Sequence, residues 1–161
     1  MKWLVVSILI GFSVKASAQT SFSKIGQFSD VESDDEGEHC LGTSIELWKI
    51  SDSNLIGMID IHEGLCGDPP CSFIKGKITN NRLEVSATDS IWDELYSFKG
   101  QIKKGHLKGI LNSKPIDLKI EKDGHSRNWD KDITSWCERW SKVHRCKGIM
   151  EYCKDLPKKN N

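Results

Sequence analysis

Ser44-Ile45-Glu46-Leu47-Trp48-Lys49-Ile50 is followed by Ser51-Asp52-Ser53 and then by Asn54-Leu55-Ile56-Gly57-Met58-Ile59-Asp60-Ile61-His62. Ile45 and Leu47 stand two apart on one side of the break, and Leu55, Gly57, Ile59 and Ile61 fall at every second residue on the other. A period of two, interrupted by Ser-Asp-Ser-Asn, is the pattern of a β-hairpin. No 3.6-residue repeat competes with it.

The same reading extends in both directions. Strands are expected at 25–33, 44–50, 54–62, 72–79, 82–89, 94–102, 106–112 and 116–122, separated by turn residues such as Asn80-Asn81, Lys103-Lys104-Gly105 and Ser113-Lys114-Pro115. Eight strands joined by short connections form an antiparallel up-and-down meander, whose edges are best removed by closing into a barrel. The inward series continues through Ile74 and Ile78, Leu83 and Val85, Phe98 and Ile102, Leu107 and Leu111, and Leu118 and Ile120. Gly57, Gly76, Gly100 and Gly109 fall on the same face, implying coiling of a filled barrel or room for a ligand.

The hairpin also carries apolar residues on its other side. Trp48, Ile50, Ile56 and Met58 point away from the barrel and need a cover. Downstream, Asp132 can cap a helix over about 132–147 in which Ile133, Trp136, Cys137, Trp140, Val143 and His144 recur at three- and four-residue intervals, with Gly148 as its stop. This helix is expected across the outside of the second and third strands. The fold class is therefore mainly β, with one C-terminal α-helix packed outside the barrel.

The N-terminus reads differently. Met1-Lys2, an apolar run from Trp3 to Val14 and Ala16-Ser17-Ala18 make a signal peptide over 1–18, and removing 18 of 161 residues leaves 143 for a single disulfide-stapled domain over 19–161, with its barrel at 25–122. An exported protein, periplasmic or secreted, is expected, without a membrane span or lipid anchor: no second apolar stretch is long enough to span, and the residue after the cut is Gln19. There is no Asn-x-Ser/Thr sequon. Acids outnumber bases 11 to 2 between Gln19 and Pro70, and bases outnumber acids 19 to 12 between Cys71 and Asn161. Such asymmetry either produces two oppositely charged faces or cancels on one shared surface.

Six cysteines follow the signal: Cys40, Cys66, Cys71, Cys137, Cys146 and Cys153. They allow fifteen pairings. Cys66 and Cys71 bracket Gly67-Asp68-Pro69-Pro70 and are expected to clamp that loop; Cys40 would then reach one of the C-terminal three, leaving the other two to pair. With no Cys-x-x-Cys and with thiols oxidised in this compartment, neither redox chemistry nor a zinc site at Cys137, His144 and Cys146 is expected.

The remaining motifs are weak. Asp30–Glu38 holds six acids in nine residues and imitates the start of a calcium loop, but Thr43 stands where the bidentate glutamate belongs, so a solvated acidic loop is expected. His39, His62, His106, His125 and His144 are scattered; His62-Glu63 is the one adjacent acid–base pair near a loop. Trp92, Tyr96 and Phe98 could line a barrel mouth for a small apolar ligand, or simply fill the core.

Gly26-Gln27-Phe28 near the first strand resembles the Gly-x-Trp signature of the lipocalins, and an eight-strand meander followed by a helix resembles their architecture over residues 24–145. The outline is also similar to that of small exported bacterial β-barrel proteins. The resemblance implies a binding or interaction role without chemistry; separately, a monomer with an unknown small apolar ligand or protein partner is expected, with no cofactor, metal or nucleic acid. Three functions are carried forward: a binding protein for a small apolar ligand or a protein partner; an enzyme inhibitor acting through the Cys66–Cys71 loop; and a hydrolase using His62 and Glu63.

Overall fold

The computed structural model describes residues 22–67, 69–89, 91–121, 132–140, 142 and 147–154. Residues 1–18, expected to be a signal peptide, and Asp68, His125, Val143, His144 and Cys146 lie outside them. The first hairpin forms as its alternation demands, but runs further than expected. β3 (His39–Lys49) and β4 (Asn54–Leu65) stay in register from Lys49↔Leu55 to His39↔Leu65. β1 (Ser23–Ser29) pairs with β3, and β2 (Glu32–Ser33) adds to the far end of β3 outside the ring. β5 (Cys71–Thr79), β6 (Arg82–Ala87), β7 (Ser97–Lys103), β8 (His106–Leu111) and β9 (Lys114–Ile120) follow as a meander. Pairing of β9 with β1 closes an eight-stranded antiparallel barrel.

Turn chemistry sets several of these registers. Asn80 and Asn81 both adopt positive φ, 50° and 62°, as a two-residue hairpin with the natural strand twist requires. Lys104 and Gly105 do the same between β7 and β8. The third such turn falls on Asn112-Ser113, so the expected break at 113–115 moves one residue earlier and Pro115 enters β9 opposite Ile110. β1 reaches β9 only at Lys119 and Ile120, so the donor that Pro115 lacks is not needed for pairing with β1.

All the inward residues named from the sequence join one core, together with the fully buried Phe28. These side chains are turned into the barrel interior. Gly100 and Gly109 face each other across β7 and β8, and a Cβ on either would come within 2.3 and 2.7 Å, respectively, of the Phe98 ring. The glycines therefore make space for an aromatic ring of the protein itself.

A second core lies outside the barrel. Trp48, Ile56, Met58 and Phe73 pack against Ile133, Trp136 and Trp140, as the apolar outer face of the hairpin required. Trp136 is fully buried, its ring 6.1 Å from Trp48 and 6.4 Å from Phe73. The cover differs from the single helix expected over 132–147: it is α1 (Ile133–Trp140) and α2 (Lys147–Lys154). Asp132 does cap α1, accepting from the Ser135 amide at 2.9 Å. Gly148 is no stop but lies in the first turn of α2. There a Cβ would sit 2.4 Å from Thr88 Oγ1 and 3.2 Å from Phe73, so its lack of a side chain lets the helix approach β5.

The disulfides correct the expected pairing. Cys66 bonds to Cys40 and not to Cys71, with Cα atoms 4.9 Å apart, because the long β3–β4 hairpin brings Cys40 opposite Gly64. Cys40 is thereby unavailable to the C-terminal segment. Cys137 bonds to Cys153 and ties α1 to α2, the internal C-terminal bond that the spacing allowed. Cys71, buried on β5 in the second core, is also disulfide-bonded, with a partner outside the described residues.

Candidate functional site at the barrel rim

In an up-and-down barrel alternate connections emerge at the same end, so the segments around 30–38, 63–70, 88–96 and 112–113 share one rim. Here the rim is uneven. β5 begins opposite Asp60, whereas β4 continues to Leu65 on β3 alone, so the last residues of the hairpin project as a tongue. β2 adds a third strand, pairing Glu32 with Leu41 and Ser33 with Cys40. The Cys40–Cys66 bond staples the tongue internally. At Gly42, with φ of 131°, a Cβ would lie 2.8 Å from the Asp30 carbonyl oxygen, so glycine is what lets the β1–β2 link cross close above β3.

This end carries the apolar surface. Leu41, Leu65, Trp92 and Leu95 are 64, 76, 53 and 65 % exposed, and among the described residues the remaining large hydrophobic in solvent, Ile110, lies one residue from the end of β8 at the same rim. Trp92 stands at the tip of a tight turn: Trp92 and Asp93 both have positive φ, between the bridged pair Ile91 and Glu94. Ile91 points back and is buried in the barrel core. The turn thus closes the barrel with Ile91 and presents Trp92 to water.

Charge divides along the same axis. Asp30, Glu32, Asp34, Asp35, Glu36, Glu38 and Glu63, with Asp89, Asp93 and Glu94, lie in the rim connections. Lys114, just after the 112–113 turn, is a base at this rim, whereas the opposite end holds Lys24, Lys49, Lys77, Arg82, Lys103, Lys104 and Lys119 against Asp52 and Glu121. The acidic loop is an ordered turn: Asp34 Oδ1 accepts from the amides of Glu38 and His39 at 2.8 and 3.2 Å, and Oδ2 lies 3.1 Å from His39 Nδ1. The His39 amide leads these contacts in holding the Asp34 carboxyl below its ordinary value. Asp30 Oδ1 accepts from the Thr43 amide at 2.6 Å. Among the described residues no three His, Cys, Asp or Glu side chains gather as a metal-holding group.

The residues singled out from sequence are distributed as follows. Phe98 is buried within the barrel, Tyr96 packs against the edge of that core, and Trp92 is outside. Burial, and then the charges of Glu94 and Glu63, raise the Tyr96 hydroxyl above its ordinary pKa. Gly67 is exposed; Pro69 and Pro70 are half-buried, and the Pro70 carbonyl accepts from the Ile61 amide at 3.1 Å, folding the loop back along β4. His62 is half-buried and held below its ordinary pKa by that burial; Glu63 is exposed.

One cluster was not read from the sequence. Glu46, 3 % exposed on the outer face of β3, is contacted by Lys24 Nζ at 3.0 Å and Arg139 Nη2 at 2.7 Å, and accepts from Trp140 Nε1 at 3.4 Å. Burial pushes its carboxyl up, but Arg139 and Lys24 outweigh that and hold it below its ordinary value. Asp60 lies on the same outer face of β4. The residue keeps some exposure, but its Oδ1 is shut off from water and makes no hydrogen bond. Burial, followed by the charge of Glu46, pushes its carboxyl up to about 8 against the pull of Arg139. The signal was present as charges at outward positions among Trp48, Ile56 and Met58. It pins α1 to the barrel.

An open depression of about 520 Å³ lies toward the basic end, where Lys99 and Glu84, both in its lining, are ion-paired at 2.6 Å. Among the described residues no helix is long and apolar enough to cross a membrane. No family model, curated protein or solved structure matches this chain.

Proposed function

We propose that this chain is an exported, non-enzymatic binding protein of lipocalin-like build that meets a protein partner at its rim and does not carry a small ligand in its interior. The observation that carries this reading is the stapled tongue, which holds Leu41 and Leu65 in water at the rim of a barrel whose inward side chains form one core. A large apolar side chain held exposed on a disulfide-braced strand pair loses little conformational entropy on binding, which is what preorganised interaction surfaces exploit. The disulfides and the N-terminal segment support export.

An enzyme inhibitor is the more specific form of this reading. The Cys40–Cys66 staple favours it, since Leu65 stands beside the bonded Cys66 as a rigid anchor for a cleft. Native mass spectrometry of the protein purified from its own compartment tests both forms. The expected result is the mass of the bare chain or of a complex with a macromolecule, the complex being lost in Leu41→Asp/Leu65→Asp. A small molecule retained by the wild type and by that variant alike would overturn the reading in favour of an interior carrier.

A further inference from the structure

The polarity of the barrel narrows the choice of partner. The apolar residues Leu41, Leu65, Trp92 and Leu95 are set among ten acids of the rim connections, against which Lys114 is the base at the 112–113 turn, while most bases of the strand ends lie at the far end. A partner that buries the leucines must place its own groups within a few ångströms of those carboxylates. Like charges there are costly, and opposite charges both steer the encounter and fix the register.

We infer that the rim receives a cationic polypeptide surface carrying exposed apolar side chains, an inference that rests on the rim being the binding surface. A second copy of this chain fits less well. Its basic end offers the charge, but among the described residues that end presents no large exposed hydrophobic, so Leu41 and Leu65 would meet lysines and turns. Stacking of rim on far end would also leave a free rim on the last copy, generating open-ended chains. An anionic or purely apolar partner would bury the rim acids without compensation.

The experiment uses three labelled synthetic peptides of equal length: lysine and leucine spaced by serine, the same with glutamate for lysine, and the same with serine for leucine. Fluorescence anisotropy is read against the wild-type protein, Leu41→Asp/Leu65→Asp and Glu36→Lys/Glu38→Lys, with circular dichroism confirming that each variant is folded. The lysine–leucine peptide is expected to bind at least about tenfold tighter than either twin, to weaken by about tenfold or more in each variant, and to weaken with added salt. If the glutamate–leucine peptide binds as well, the cationic partner is wrong while the rim survives. If the lysine–leucine peptide binds the leucine variant undiminished, the rim itself is wrong. If no peptide binds and sedimentation shows growing chains of the protein, the occupant is a second copy and the inference falls.

Discussion

Replacing Asp60 with asparagine raises the stability of the fold, and raises it more as the pH increases. In the unfolded chain this carboxyl titrates near 3.8; in the fold it holds its proton up to about 8, because burial and the neighbouring Glu46 charge both disfavour ionisation. Between those values the native state keeps a proton that the unfolded chain has released. Stability therefore falls as pH rises through that window, by about 1.4 kcal/mol per unit, and the contribution is intact only below the unfolded value. Over about four units the ceiling is about 6 kcal/mol. Relaxation around a residue that keeps some exposure, and the pull of Arg139, reduce this to an expected gain of about 2–3 kcal/mol between about pH 5 and about pH 8. The asparagine removes the titration while keeping the shape. Urea unfolding of both proteins across that range measures it, as a separation of midpoints at unchanged slope. A separation that is flat with pH, or that narrows as pH rises, would refute the assignment of a buried, proton-holding Asp60.

Glu46→Gln acts in the opposite direction. It leaves Arg139 and Lys24 facing a neutral group, so it should cost about 3 kcal/mol at neutral pH, and it should flatten the pH dependence of the wild type by relieving Asp60; chemical denaturation reads both. In the wild type the Glu46 contribution is present above the ordinary carboxylate range and is lost as pH falls through its lowered value. Gly100→Ala should destabilise by about 2–3 kcal/mol, seen as a lower melting temperature, since the new methyl would meet Phe98 at 2.3 Å and the Lys108 carbonyl oxygen at 2.2 Å. Cys40→Ser/Cys66→Ser opens a loop of 26 residues and should cost about 3 kcal/mol by loop-closure entropy, with hydrogen exchange rising first in the tongue.

Much of this architecture was legible because it depends on local periodicity. Inward and outward faces of a strand follow from a period of two, and most of the core was named on that basis, although Phe28 and Ile91 were not among the inward residues read from it. The tryptophan-bearing cover was legible for the same reason: Trp48, Ile56 and Met58 could not be left in water, and Trp136 and Trp140 had nowhere better to go. Where strands end was less legible. Residues 39–43 include Gly42 and read as loop, but pairing with β4 recruits them into β3, and that lengthening took Cys66 away from Cys71. The place of Gly148 likewise depends on close approach to Phe73 and Thr88, which no helical repeat encodes.

The candidate site shows the same division. Trp92, Tyr96 and Phe98 were singled out as aromatics near a loop, and all three lie along the path from rim to core, but which of them faces water depends on the positive-φ turn at Trp92-Asp93. Leu41 and Leu65 were not singled out, because an exposed leucine is identical in sequence to a buried one. Only the projection of the hairpin beyond β5 reveals it.

Alternation, turn residues and the even cysteine count determined by themselves that this chain forms a meander with an apolar interior and an apolar outer face to be covered; these are consequences of short-range geometry. Tertiary structure alone decided the disulfide partners, the Glu46–Asp60–Arg139 cluster and the concentration of acids and exposed leucines at one end. Each of those depends on distances between segments far apart in the chain, and such distances exist only once the barrel has closed.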